Sequence, residues 1–290
     1  MDGVYTLGTL GGGRAAWAFG STWRRLGWPI DGVWLRPESQ SRLPELLDAP
    51  RKAIGELRAD LLLVAVSDRA IGEVVEKVLS AECRVPSAGN ATLNPALGTE
   101  HSALGTQHSA PGTQHSALGT QHSALGPPIL FHASGALPTP PGGFSLHPLK
   151  SLPPVGMPSD LAGALLVFEG EHREIGERIA HAAGARFVAI RAEEKLRYHA
   201  GAVFGANYVA ALLDIAEELV GIEGARDDLA NLAVSAIDNW RSQTGPARFT
   251  GPAARGDVEV IERHLAALAD RPELAEIYRL LAARILATRK

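Results

Sequence analysis

Val4-Tyr5-Thr6-Leu7-Gly8-Thr9-Leu10-Gly11-Gly12-Gly13-Arg14-Ala15-Ala16 begins as a short apolar run, meets three glycines in a row, and continues into Ala- and Trp-rich residues with helical spacing. That order predicts strand, tight turn, helix. Trp28 to Arg36 predicts a second strand through Ile30, Val33, Trp34 and Leu35, closed by Pro37 and a Ser/Gln-rich loop. Leu61 to Val66 is apolar throughout, as a strand buried on both faces of a parallel sheet is, and a helix from Ile71 to Leu79 follows at once. Strands alternating with helices at this spacing predict βαβ units with right-handed crossovers, hence an α/β fold built on a doubly wound sheet.

Further along, Ile129 to His132, Phe144 to His147, Ala164 to Phe168 and Phe187 to Ile190 read as strands, and His172 to Ala183 as an amphipathic helix stopped by Gly184. After Glu193 the pattern is almost entirely helical, broken by Gly221, Gly224 and the Thr244-Gly245-Pro246 and Thr250-Gly251-Pro252 turns. The expected organisation is a dinucleotide-binding sheet domain over residues 1–192 and a helical domain over 193–290. Within the first of these, residues 96–126 repeat the unit His-Ser-Ala-Leu-Gly-Thr-Gln from His101, His108, His115 and His122. One apolar residue per unit makes no coiled-coil seam, so the repeat reads as a disordered low-complexity insertion. Four regularly spaced imidazoles could ligate zinc or nickel, but nothing pre-organises them, and the favoured expectation is no metal site.

The chain has 290 residues, 46% hydrophobic and 21% charged, enough for a sizeable core. A net charge of -4 argues against a nucleic-acid partner, which calls for a basic face. Cys83 is the single cysteine, which excludes an internal disulfide framework. No apolar stretch reaches membrane-spanning length and no signal-peptide pattern opens the sequence, so no membrane partner and a cytoplasmic location are expected.

Gly11-Gly12-Gly13-Arg14-Ala15-Ala16 fits G-x-G-x-x-A in the strand and helix context that the Rossmann dinucleotide fingerprint requires. Gly11 permits the turn, Gly13 lets backbone approach the pyrophosphate, and Ala16 keeps helix and strand close. The N–H groups that open the helix, from Arg14 and Ala15 onward, face the phosphates. At the end of the second strand NAD enzymes carry an acidic residue, and here Arg36 stands, with Ser39 or Arg42 in support. A guanidinium suits a 2′-phosphate, so NADP is expected in preference to NAD or a deazaflavin. Ser67 and Asp68 border the same crevice, although Asp68 serves equally as the cap of the next helix.

His132, Ser134 and His147 fall at strand ends, where doubly wound sheets bind ligands; the alternative for a strand-end histidine is to cap a carbonyl. Lys195 and His199 are four residues apart and Asn207 eight further on, so on one helix the first two share a face and Asn207 lies close round it. A Lys or His there can protonate the product of hydride addition, while the bland alternative is an exposed pair beside Glu193 and Glu194. Thr250, Arg255 and Asp257 frame a turn that could clamp an anion; alternatively Arg255 and Asp257 form a structural ion pair. His264 reads as an interface histidine.

These residues resemble a known set of families. Leu7 to Gly13 is similar to the opening of pyrroline-5-carboxylate reductases, ketopantoate reductases and β-hydroxyacid dehydrogenases. Ala65-Val66-Ser67-Asp68, Phe131 to Ala136, Leu146 to Ser151, Tyr198-His199-Ala200 through Asn207-Tyr208, and Thr250 to Asp257 together resemble Rossmann-like proteins with a DUF2520 domain. The resemblance implies a dimeric, NADP-dependent reductase architecture acting on a small molecule, the dimer formed through the C-terminal helices. In the β-hydroxyacid dehydrogenases a lysine on the equivalent helix is followed four residues later by Asn; here His199 takes that place. The Thr250-Gly251-Pro252 turn resembles the one with which pyrroline-5-carboxylate reductases hold a substrate carboxylate. The expected activity is hydride transfer to or from a small anionic carbonyl, imine or hydroxy acid; the alternative is a non-catalytic dinucleotide-binding regulator or scaffold.

Overall fold

The computed structural model describes residues 4–82 and 127–289. The expected insertion at 96–126, its histidines, and Cys83 lie outside the described residues. The chain opens with β1 (Leu7–Leu10), α1 (Arg14–Leu26), β2 (Ile30–Trp34), α2 (Leu43–Leu47), β3 (Leu61–Val64) and α3 (Asp68–Glu82). Then follow β4 (Ile129–His132), β5 (Phe144–Pro148), β6 (Leu165–Gly170), α4 (Arg173–Ala183) and β7 (Arg186–Ala189). The remaining helices are α5 (Lys195–Gly205), α6 (Asn207–Val220), α7 (Arg226–Ser242), α8 (Gly251–Arg255), α9 (Val258–Ala267) and α10 (Pro272–Leu286). Among the described residues no helix is long and apolar enough to cross a membrane.

One seven-stranded sheet has the order β2-β1-β3-β4-β5-β6-β7. The chain leaves β1 for β2 on one side and returns to β3 on the other, so the strand order reverses beside β1, where open α/β sheets bind ligands. β1 and β3 are buried throughout, as the unbroken apolar run of β3 requires, and Phe131, Phe144 and Phe168 stack across neighbouring strands at 4.9 and 5.6 Å between ring centres. Trp23 and Phe19 of α1 are fully buried against that core, and Trp23 Nε1–H donates to the Tyr5 carbonyl at 2.8 Å.

Two connections depart from repeated βαβ units. No helix joins β4 to β5, yet the two strands run parallel; β6 then runs antiparallel to β5. The stretch between β5 and β6 leaves the sheet and returns to the same edge, Leu149 N–H bonding the Leu165 carbonyl at 2.8 Å. On the way it covers α1: Leu161 is fully buried and its N–H donates to Thr22 Oγ1 at 3.0 Å, while Trp17 Nε1–H donates to the Met157 carbonyl at 2.7 Å. The Ser/Gln-rich stretch after β2 is a loop as far as Arg42; α2 then buries Leu43 and Leu47, the latter against Gly20 of α1.

The described chain divides into two compact units, Met1–Ala202 and Val203–Lys290. Helical structure starts at Ala192, but the first turns of α5 belong with the sheet, because the Lys195 side chain is buried against β5 and β6.

Candidate functional site

The glycine turn forms one side of a cleft of about 300 Å³ lined by Gly11, Gly12, Gly13, Trp34 to Arg36, Glu38, Ser39 and Ala65 to Ser67. Gly11 sits at φ 114°, which a side chain rarely tolerates, and a Cβ there would strike the Ala65 carbonyl. At Gly13 a Cβ would meet only the Ala65 carbonyl at 3.7 Å, so the chain leaves that position open toward the cleft. Gly13 also caps α1 without any side-chain hydrogen bond, which leaves the first N–H groups, including those near Arg14 and Ala15, free for an anion. Ala16 is fully buried, as its close-packing role demands. Arg36 and Ser39 line the cleft as expected, whereas Arg42 does not and instead lies 3.9 Å from Glu45. Ser41 went unnoticed in the sequence: its hydroxyl donates to the Gly12 carbonyl at 2.8 Å and braces the turn.

Farther along the same sheet edge, the ends of β3, β4 and β5 carry a second group. Asp68 opens α3, and its carboxylate accepts a hydrogen bond from Ser134 Oγ at 3.1 Å. Ser134 Oγ in turn accepts from the N–H groups of Ala136 and Leu137, fixing the loop after β4. His132 is fully buried with both nitrogens used: Nδ1 accepts from Ser134 N–H at 3.2 Å, so Nε2–H donates to the Pro138 carbonyl at 2.9 Å. Burial pushes its pKa down, keeping it neutral. It is the carbonyl-capping histidine that strand ends often hold.

Helix α5 lays Lys195, Tyr198 and His199 against this edge. Lys195 Nζ donates to Ser145 Oγ at 2.7 Å and to Glu169 Oε2 at 2.9 Å, with 5% of the lysine side chain and 12% of the glutamate exposed. Burial lowers the lysine pKa and Glu169 opposes that shift. Burial also raises Glu169, but hydrogen bonds from Thr139 and Lys195 outweigh it and hold the carboxyl below its usual range. An exposed Lys195 beside Glu193 and Glu194 is therefore not what forms; those two acids pair with Arg191. His147 Nδ1 lies 2.6 Å from the Tyr198 hydroxyl, and its ring meets His199 edge to face at 5.5 Å between centres. Burial first, then His199 and Lys195, lowers the His147 pKa to about 4, while burial pushes Tyr198 up to about 12. Tyr198, Ser145, Glu169 and Thr139 were not singled out from sequence. Tyr198 lay inside a quoted motif, but its partner is fifty-one positions earlier.

Asn207 does not share a helix with Lys195. α5 ends at Gly205, Ala206 at φ -131° breaks the helix, and Asn207 starts α6 in the helical unit. In that unit Thr250 and Asp257 precede α8 and α9 without a side-chain capping bond from either, and Gly251 sits at φ 86°. Arg255 is exposed and, among the described residues, forms no ion pair with Asp257. His264 Nδ1 lies 2.7 Å from the Tyr278 hydroxyl of α10.

No curated protein matches the chain significantly in sequence. Several solved structures share its fold. A candidate NADP oxidoreductase from Bacteroides fragilis is 19% identical with a TM-score of 0.71, the match covering 99% of this chain and 100% of that one. A reductive aminase from Aspergillus terreus, solved with an NADPH derivative, cyclohexanone and allyl amine, is 14% identical with a TM-score of 0.57, covering 98% and 93%. A 1-pyrroline-5-carboxylate reductase from Streptococcus pyogenes is 11% identical with a TM-score of 0.53, covering 99% and 100%. Residues 165–285, from β6 to the end of α10, match the family described as a domain of unknown function, DUF2520. The chain thus has a Rossmann-like fold, and its residues 165–285 are similar to the DUF2520 family.

Proposed function

We propose that this protein is an NADP-dependent oxidoreductase acting on a small anionic carbonyl, imine or hydroxy acid. The observation that carries the reading is the cleft at the strand-order reversal. Its glycine turn is bare of side chains where a diphosphate would lie, and Arg36 and Ser39 stand on its β2 rim. The backbone of Gly11 to Gly13 and the N–H groups opening α1 would hold the diphosphate, Arg36 the 2′-phosphate, and Ser67 the wall toward β3. Glu38 lines the same rim and is the residue that would instead favour unphosphorylated ribose hydroxyls. The reduced nicotinamide, when bound, supplies a hydride to the carbonyl or imine carbon.

Toward β4 and β5 the chain's own groups have separate tasks. Asp68 and Ser134 shape the loop beside the reacting end. Lys195, held by Ser145 and Glu169 through two of its three donors, anchors α5 so that His147 and His199 face the substrate. Thr250, Arg255 and Asp257 form an anion-binding turn in the helical unit, and Asn207 a further polar contact. The same reading includes a homodimer formed through the C-terminal helices. Titration calorimetry with NADPH and NADH tests the core of it. The expected result is tighter binding of NADPH, weakened about tenfold to a hundredfold by Arg36→Ala, the range a lost charged hydrogen bond produces. Absence of binding by either nucleotide overturns the proposal. Binding with no turnover of any carbonyl or imine would point to a regulatory role.

A further inference from the structure

We propose that Tyr198 holds His147 in the tautomer with its proton on Nε2, and that this N–H is the donor that meets the substrate atom on which charge gathers during hydride transfer. The second half rests on the oxidoreductase reading; the first does not.

Position comes first. Along the order β2-β1-β3-β4-β5, Arg36 lies on one side of the glycine turn and His147, near the C-terminal end of β5, on the other. A dinucleotide with its phosphate end toward Arg36 directs its reactive end toward β4 and β5. Elimination comes next. His132 spends both nitrogens on the Pro138 carbonyl and the Ser134 N–H, and the buried ammonium of Lys195 is held by Ser145 and Glu169 through two of its three donors. Among the described residues, His147 Nε2 has no partner.

The tautomer follows from proton accounting. Only one proton can lie between Tyr198 Oη and His147 Nδ1, which are 2.6 Å apart. If Nδ1 carried it, the tyrosine's own O–H would have no acceptor among the described residues in a half-buried position. If the tyrosine donates, both groups are satisfied and the ring proton must sit on Nε2. Burial keeps the ring from taking a second proton and keeps the phenol protonated. The donor is therefore a neutral imidazole, which can stabilise developing negative charge without being consumed by titration near neutral pH.

Gly135 lets the two rings approach the loop after β4. A Cβ there would lie 3.1 Å from His147 Nε2 and would clash with His199 Nδ1. His199 Nδ1 is itself buried with no partner among the described residues. Two imidazoles, each with an unused nitrogen, thus pack against the bare backbone of Gly135.

The test is long-range proton–nitrogen NMR on the full chain labelled with ¹⁵N-histidine. The expected spectrum shows His147 neutral from pH 8 to 5 with its proton on Nε2, shifting toward mixed tautomers in Tyr198→Phe. A proton on Nδ1 in the unaltered protein, or a tautomer indifferent to Tyr198→Phe, overturns the proposal. The second half is read from NADPH oxidation with a panel of 2-oxo acids and cyclic imino acids. His147→Ala is expected to lower kcat by about 10²–10³, as loss of a preorganised donor does. His147→Gln, which keeps an N–H near Nε2, is expected to retain more, and Tyr198→Phe to lower kcat with KM nearly unchanged. Equal kcat in His147→Ala and the unaltered protein overturns the donor role. If the tautomer is as expected but no compound on the panel is reduced, the oxidoreductase reading fails and the donor role with it, while the Tyr198–His147 pairing stands.

Discussion

Lys195→Met would strand the Glu169 carboxylate beside Thr139 at a place where the two charged side chains are almost wholly out of water. Breaking one partner of such a pair costs about 3 kcal/mol, whereas removing both charges costs far less. Urea unfolding should therefore show Lys195→Met as severely destabilised and Lys195→Met/Glu169→Gln as substantially recovered. Equal losses in the two would mean that the ion pair is not what anchors α5. His147 gives a second residue-level expectation. Its folded pKa of about 4 lies below the ordinary 6.5 of the unfolded chain, so between those values the unfolded state holds more protons. Its contribution to stability is complete above pH 6.5 and is lost as pH falls toward 4, by roughly 3 kcal/mol at most. Buried His132 pulls in the same direction. Unfolding measured at pH 4.5, 5.5 and 6.5 should show this slope, and His147→Gln should flatten it. The candidate site was only partly legible in the sequence for a reason visible here. Lys195 and His199 could be placed on one helix face by their spacing, but Glu169, Ser145 and Tyr198 gain their roles through pairings across 26, 50 and 51 positions, on which local pattern is silent.

Elements governed by local chemistry could be read directly. The glycine turn after β1 needs a residue at φ 114°, and Gly27 and Gly184 end α1 and α4 in the left-handed conformation that stops helices. β3 and β4 are short apolar runs bounded by turn residues, and both form where the pattern places them. Direction was not legible, because an apolar run of four or five residues looks the same in a parallel or an antiparallel strand. The reversal at β6 is set by pairing with β5 instead. The end of α5 was missed since Gly205 alone is a weak breaker, and Asn207 consequently moved to a different helix. The segment joining α3 to β4 allows a prediction at this scale. Deleting Gly98 to Gly126 shortens a connection whose closure entropy depends only on the logarithm of its length, so stability should change by less than about 1 kcal/mol. Calorimetric melting should shift by a few degrees at most; a collapse in Tm would show that the repeat belongs to the folded core.

At the scale of the whole molecule, the two units distribute their apolar side chains differently. The sheet unit encloses Trp23, Phe19, Phe131 and Phe144 completely, whereas α6 and α7 contain no buried residue at all. Phe204, Leu232, Trp240 and Leu280 are each more than 60% exposed. Monomeric soluble proteins rarely leave so many large apolar side chains on one small helical unit, and an interface of about 800 Å² per partner would be of the size that stable dimers bury. A second copy is the simplest cover, because a two-fold axis lets one surface complement itself. Symmetry also sharpens the test: any charge placed near the axis faces its own copy, so Leu232→Glu/Trp240→Glu introduces both desolvation and like-charge repulsion. Sedimentation equilibrium should give a dimer for the unaltered chain at micromolar concentration and a monomer for this variant. The Gly11 to Gly13 turn lies in the other unit, so the variant should keep its circular dichroism and its affinity for NADPH. An unaltered chain that sediments as a monomer at tens of micromolar would sink the dimer and leave the apolar helices awaiting a different partner.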